Sequence, residues 1–254
     1  MTKYRVAKDI GISFEMRDEN KNPEVVAKLT SLGSMGPKRF DLDLSHRITF
    51  CTATSYVDMD GRTIATTTGD GYELAYSAHT LNGSSTTFRN RLAGNAQLAQ
   101  GSLENMEKLI VEETYNQFGE KMTMSFNILF TTDDPNTVNM AKQLLKSTSP
   151  LDGLNSGVIN PQIGSYKHVI LPRVATDKNG APDTDKRRYW GLASSEMTTA
   201  YYGMWEDANL KTPAALNAGE EFSTDDWNFG IRMGYGIVIV SASWYKFSSG
   251  DGVA

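Results

Sequence analysis

The sequence predicts an α+β fold in which helices lie on a sheet assembled from distant parts of the chain, and three stretches predict it. From Trp227 to Tyr245, Trp227, Phe229, Ile231, Met233, Tyr235, Ile237 and Ile239 alternate with Asn228, Gly230, Arg232, Gly234 and Gly236. Side chains alternate faces along an extended chain, so this is a strand with a nearly unbroken apolar face. Val238 and Val240 then fill its second face, the mark of a strand in the middle of a sheet. Residues 3 to 17 alternate in the same way, and residues 23 to 53 carry a helical stripe long enough to lie along such a sheet.

Composition bounds the problem. A chain of 254 residues is long enough to bury a sizeable core without staples. The single cysteine, Cys51, excludes an internal disulfide and reads as a small buried apolar residue. No apolar run is long enough for a membrane span or a signal peptide. A net charge of -5 argues against a protein that grips nucleic acid by its phosphates.

Along the chain, Tyr4, Val6, Ile10, Ile12, Phe14 and Met16 form the apolar face of the first strand, whose partner is expected from another molecule or from chain upstream of Met1. Asn22-Pro23-Glu24 starts a helix, with a capping side chain, proline at the first helical position and an acid in the first turn. Its stripe, Val25, Leu29 and Leu32, is interrupted at Gly33 to Pro37 and resumes at Phe40, Leu44, Ile48 and Cys51, so residues 23 to 53 read as one kinked or broken helix. Tyr56 to Tyr76 returns to strands with turns at Asp60-Gly61 and Gly69-Asp70-Gly71, and polar His79 to Leu92 reads as a loop.

Gly101-Ser102 caps a helix that carries Leu103, Met106, Leu109 and Ile110 inward and ends near Gly119. Thr123 to Thr132 is a strand, Asp133-Asp134-Pro135 opens another helix, and Ser147 to Ser165 is a long loop. Val169-Ile170-Leu171 is a short buried strand, Lys178-Asn179-Gly180 a turn, and Tyr189 to Ala193 and Thr198 to Trp205 are further strands. Roughly residues 100 to 220 thus form a strand and helix unit inserted between the early helix and the late strand.

No chemistry-bearing constellation emerges, and no catalytic, cofactor-binding or metal residue is assigned. Asp58-Met59-Asp60-Gly61 opens like a calcium loop, but Arg62 and Gly69 stand where ligands belong, so the acids read as turn formers. His46, His79 and His168 lack a Gly-x-Ser-x-Gly elbow, and no pair has zinc-ligand spacing. Lys38-Arg39, Arg89, Arg91 and Lys186-Arg187-Arg188 read as a solvated face or as salt bridges that face a partner. Of Tyr201, Tyr202, Trp205, Trp227 and Trp244, most are expected in the core and some as anchors of a subunit interface.

The order of the parts carries a resemblance. A two-faced strand runs into Phe14-Glu15-Met16-Arg17-Asp18-Glu19-Asn20, then a long helix, then Asp60-Gly61-Arg62 and Ser77-Ala78-His79; an inserted α/β unit precedes a last strand with Phe229-Gly230-Ile231-Arg232 and Gly236. This resembles the major capsid proteins of tailed bacteriophages with the HK97-type fold, most like Mu-like major head subunits. The resemblance implies an E-loop return strand in residues 1–21 and a spine helix with P-domain in 22–99. It further implies an axial A-domain in 100–225 and a final P-domain strand with carboxyl tail in 226–254. It implies pentamers and hexamers in an icosahedral shell around double-stranded DNA, with non-specific DNA contact and with decoration, portal or scaffold proteins as further partners. The expected location is the virion, assembled in host cytoplasm, with no enzymatic activity, no cofactor and no membrane. An encapsulin-type compartment shell is the near alternative. A β-rich hydrolytic enzyme using Asp58, Asp60, Asp70 or His79 is the remote one.

Overall fold

The protein is described here from a computed structural model, covering residues 3–18, 22–81, 83–116, 118–148, 159–212 and 227–252. In chain order the elements are β1 (Tyr4–Ile12), α1 (Phe14–Asp18), α2 (Asn22–Thr49), β2 (Ser55–Val57), β3 (Thr63–Ala65), β4 (His79–Leu81) and β5 (Ser84–Phe88). There follow α3 (Gln100–Glu112), β6 (Ile128–Thr131), α4 (Pro135–Lys146), β7 (Lys167–Ile170), β8 (Trp190–Ala193), β9 (Ala200–Lys211), β10 (Trp227–Ile239) and β11 (Tyr245–Ser248). The mixed helix and sheet content is the expected one. The chain divides into two compact units, one of Met1–Leu44 with Tyr201–Val238, the other of Ser45–Ala200 with Ile239–Ala254.

The first unit is a three-stranded sheet in the order β1-β10-β9, so the late strand is central, as its two-faced pattern demands. The expectation that the first strand lacks a partner in its own chain is overturned. β1 pairs antiparallel with β10 along its whole length, from Tyr4↔Tyr235 to Ile12↔Trp227. The register sets Tyr4, Val6 and Ile10 opposite Tyr235, Met233 and Phe229, so two alternating patterns share one apolar side. The partner lies more than two hundred positions away, beyond any local pattern. The strand is also shorter than expected, since the chain becomes helical at Phe14.

Helix α2 runs unbroken through Pro37 for 28 residues, where a kink or break was expected. Leu32 and Leu42 are buried on either side of the proline, and that packing holds the axis although one intrahelical hydrogen bond is lost. The expected stripe shifts as well: Leu44 is exposed, while His46 and Thr49 are buried.

The second unit is built on a four-stranded sheet, β11-β8-β6-β7, in which β6 and β7 are parallel and the other pairs antiparallel. One face packs Leu129, Trp190 and Leu192 under α3 and α4. The other face packs Phe130, Tyr245 and Phe247 against Cys51, Leu74, Phe88 and Tyr189. Asp134 caps α4 by accepting from the Thr137 amide, with Pro135 at the first helical position, as the sequence signals. Cys51 is buried as expected, and desolvation pushes its thiol up to about 12.

Other expectations are corrected here. His79 to Leu92 is not a loop: β4 and β5 pair as a hairpin pinned by His79 opposite Phe88, rings stacked 5.0 Å apart. Apart from those two anchors its side chains are mostly Thr and Ser, so no apolar alternation advertised it. α3 ends at Glu112 and not near Gly119, because the Asn116 side chain accepts from the amides of Phe118 and Glu120 and shapes a separate turn. Of Thr123 to Thr132 only β6 joins the sheet, and β7 is half exposed at the sheet's edge. Trp227 to Tyr245 divides at Ile239, where Ser241 accepts from the Ser243 amide and turns the chain into β11. Most of the expected Ser147 to Ser165 loop lies outside the described residues.

Candidate assembly surface

The first unit has little interior. Met233, Tyr235 and Ile237 of β10 are its buried cluster, joined by Val6 of β1 and Phe40 of α2. Phe40 meets Tyr235 edge-on at 5.0 Å and Tyr202 at 5.5 Å. The Tyr235 hydroxyl donates to the Asp43 carboxylate, which Arg39 also holds at 3.1 Å. Burial first, and then the Asp43 charge, pushes the Tyr235 phenol well above its ordinary range, so it stays a donor. Helix and sheet are thus joined by the two ring contacts of Phe40, by the close approach of Gly36 to Met233 and Ile231, and by a polar triad of Arg39, Asp43 and Tyr235.

On the other face of β10, Trp205 of β9 lies over Gly234. A Cβ at 234 would sit 2.4 Å from the indole nitrogen, so the glycine makes room for a ring and not for a backbone. The Lys3 ammonium lies 5.6 Å from that ring's centre, and Arg5 reaches Glu206 at 3.3 Å. Gly234→Val is expected to expel the indole, shift tryptophan emission to the red and cost about 1–3 kcal/mol in urea unfolding. Unchanged emission would show that the ring does not depend on that gap.

What this unit cannot bury it displays. Tyr201, Tyr202, Trp205 and Trp227 are 57%, 63%, 40% and 41% exposed, which corrects the expectation that most of the late aromatics are core. Only Trp244 among the five is substantially covered, its indole N–H donating to the Ser241 carbonyl at 2.8 Å. Among the described residues no layer covers Tyr201 and Trp205, which share one face of β9, whereas Tyr202 lies on the helix side against Phe40; exposed aromatics of this kind suit a surface that meets a partner.

The residues weighed for catalysis do not converge on chemistry. Asp58 accepts from the amides of Asp60 and Arg62 and closes a turn. Asp70 and His79 do meet, at 2.7 Å, but the second ring nitrogen of buried His79 lies 3.3 Å from the Leu74 carbonyl. Neither nitrogen faces a nucleophile. The hydrogen bonds and charge that Thr68 and His79 supply outweigh burial and hold the Asp70 carboxyl below its usual range. A stability contribution of this kind is present above about pH 4 and is lost as acid titrates the carboxylate. His46 is buried, edge-on to Phe50 and to Tyr56, both at 5.3 Å. His168 lies 2.9 Å from the Thr131 hydroxyl and is held below its ordinary pKa by burial and by Lys142 and Lys146.

Three residues of the basic clusters sit in ion pairs within the chain: Arg39 with Asp43, Arg89 with Glu113 at 3.6 Å, and Lys186 with Asp183 at 2.9 Å. The second unit also has a cleft of about 720 Å³ lined by Leu81, Phe88, Met122, Met197 and Val240, whose one carboxylate, Asp70, is engaged with His79. Among the described residues no group of three His, Cys, Asp or Glu could hold a metal ion. No described helix is long and apolar enough to cross a membrane.

The fold itself is that of phage capsid structures. A structure from Gordonia phage Cozz superposes with a TM-score of 0.50 at 12% identity, covering 96% of this chain and 69% of its own. The mature capsid of bacteriophage PhiM1 gives 0.50 at 10% identity, covering 96% and 70%. The capsid of Myoviridae phage XM1 gives 0.52 at 9% identity, covering 97% and 72%. At 9% to 12% identity the likeness is one of fold. No family model and no curated protein matches the sequence.

Proposed function

We propose that this chain is the structural subunit of a phage head with the HK97-type fold, and that its copies assemble as pentamers and hexamers into an icosahedral shell around double-stranded DNA. The observation that carries the reading is a capsid-like course over 96% to 97% of the chain. Two features support it: a first unit that displays aromatic residues it cannot bury, and acids and histidines engaged in turns and buried contacts. In this reading residues 1–21 return from the E-loop and 22–99 supply the spine helix and P-domain. Residues 100–225 form the axial A-domain, and 226–254 add the final strand and tail. The protein acts in the virion after assembly in host cytoplasm, as a wall and not as an enzyme. Portal, scaffold or decoration proteins are further partners. A net charge of -5 suits a wall that contacts packaged DNA without gripping it.

Purified protein is expected to form closed polyhedral shells in negative-stain images. Discrete monomers persisting at high concentration would overturn the reading.

A further inference from the structure

We infer that the β9 edge of the first unit's sheet receives the β1 edge of a second copy of this chain, so that the sheet continues from subunit to subunit. The inference rests on the shell-subunit reading and names the contact through which neighbours join.

Among the described residues the strand order β1-β10-β9 leaves β1 and β9 as the two edges. An open edge presents a row of backbone donors and acceptors that templates another strand. Proteins that must stay apart blunt such edges with lysine, proline or extreme shortness. β9 is blunted only by charge, two acids at its middle and a lysine at its end. It is 12 residues long, contains no proline, and carries its one lysine at its last position. It also exposes Tyr201, Tyr202 and Trp205, side chains that add contact area beside a strand docked there.

Charge selects the occupant. β9 carries Glu206 and Asp207 at its middle, so two copies of β9 paired antiparallel about their centres would crowd four acids within two residues of the axis. β1 presents exposed Arg5 and Lys8 with one acid, Asp9, for a net positive strand. Within one chain Arg5 already reaches Glu206, so the charges the junction would pair are Lys8 and Asp207. A β1-to-β9 junction is also head-to-tail, the type of contact that closes into rings when the rotation per subunit divides the circle.

The test uses the full chain with Lys8→Cys combined in turn with Asp207→Cys and Asn209→Cys, oxidised mildly. Inside one molecule β1 and β9 are separated by β10, about 9–10 Å apart, beyond the roughly 7 Å a disulfide can span. Cys51 is buried and stays in place. The expected result is a ladder of covalent oligomers without reductant, absent from each single variant. As a second measurement, Asp207→Lys is expected to raise the concentration needed for assembly about two- to fivefold, with Lys8→Glu restoring it. Closed shells with no ladder from either pairing and no rescue by charge exchange overturn the junction while leaving the shell reading intact. Absence of shells from the unaltered chain, with no ladder, overturns both.

Discussion

Gly191→Ala is expected to destabilise the second unit severely. Gly191 is the second residue of β8, between Trp190 and Leu192, whose side chains pack under the helices. A Cβ at 191 would therefore enter the opposite face, 2.1 Å from the Lys246 carbonyl oxygen of β11 and 2.6 Å from the Phe130 ring of β6. The ring can shift by a few tenths of an ångström, but the carbonyl is fixed in the β11 to β8 ladder, where Lys246 pairs with Leu192. Overpacking usually costs about 1–3 kcal/mol, and an obstacle made of paired backbone puts this substitution at or above the upper end. Against a typical total of about 5–15 kcal/mol, the loss removes a large share of the unit's stability. Urea unfolding followed by far-UV circular dichroism checks it, with a sharply lowered midpoint expected and no shells formed. A midpoint equal to the parent's would mean that β8 and β11 are not in this register.

Lys246 is expected to make stability rise between about pH 7 and pH 9. Its side chain is fully buried, and the ammonium donates to the carbonyls of Arg89 and Glu113 at 3.0 and 2.9 Å. Burial is the main cause that brings its pKa down to about 7; the Glu113 carboxylate opposes the shift and the Arg89 guanidinium adds to it. Between that value and the ordinary lysine range the unfolded chain holds a proton that the folded chain lacks, so raising the pH favours the fold. Above about pH 9 the climb levels off, because buried Cys51, raised to about 12, keeps a proton that the unfolded thiol loses and so cancels the lysine's slope. Over the two units between, unfolding free energy should climb by about 2 kcal/mol. In Lys246→Met that climb should vanish, although the variant leaves two carbonyls without their donor. Denaturant titrations of both proteins at pH 6.5, 7.5 and 9 decide it. Parallel profiles would show that the climb, if any, comes from other groups.

Sequence periodicity identified the two long strands because their alternation is nearly uninterrupted, and it identified α4 because Asp134 and Pro135 state the start of a helix in adjacent residues. It did not identify the β4 and β5 hairpin, whose only buried anchors, His79 and Phe88, lie nine positions apart in a polar stretch. The candidate assembly surface was legible in part. Tyr201, Tyr202 and Trp205 stood out as aromatics, but whether they faced a core depended on how many layers covered the sheet. The pairing of Trp205 with Gly234 depended on strand order.

What the sequence determined by itself was therefore mostly local: which segments are extended or helical, that no nucleophile, metal or phosphate motif is spelled out, and an order of parts that resembles a capsid subunit's. The tertiary structure decided what joins residues far apart: that β1 finds its partner in β10, that β9 is left at an edge, and that Lys246 and Gly191 are enclosed. The physical reason is that periodicity reports which faces of an element are apolar, while pairing and burial depend on which other segments arrive to cover those faces.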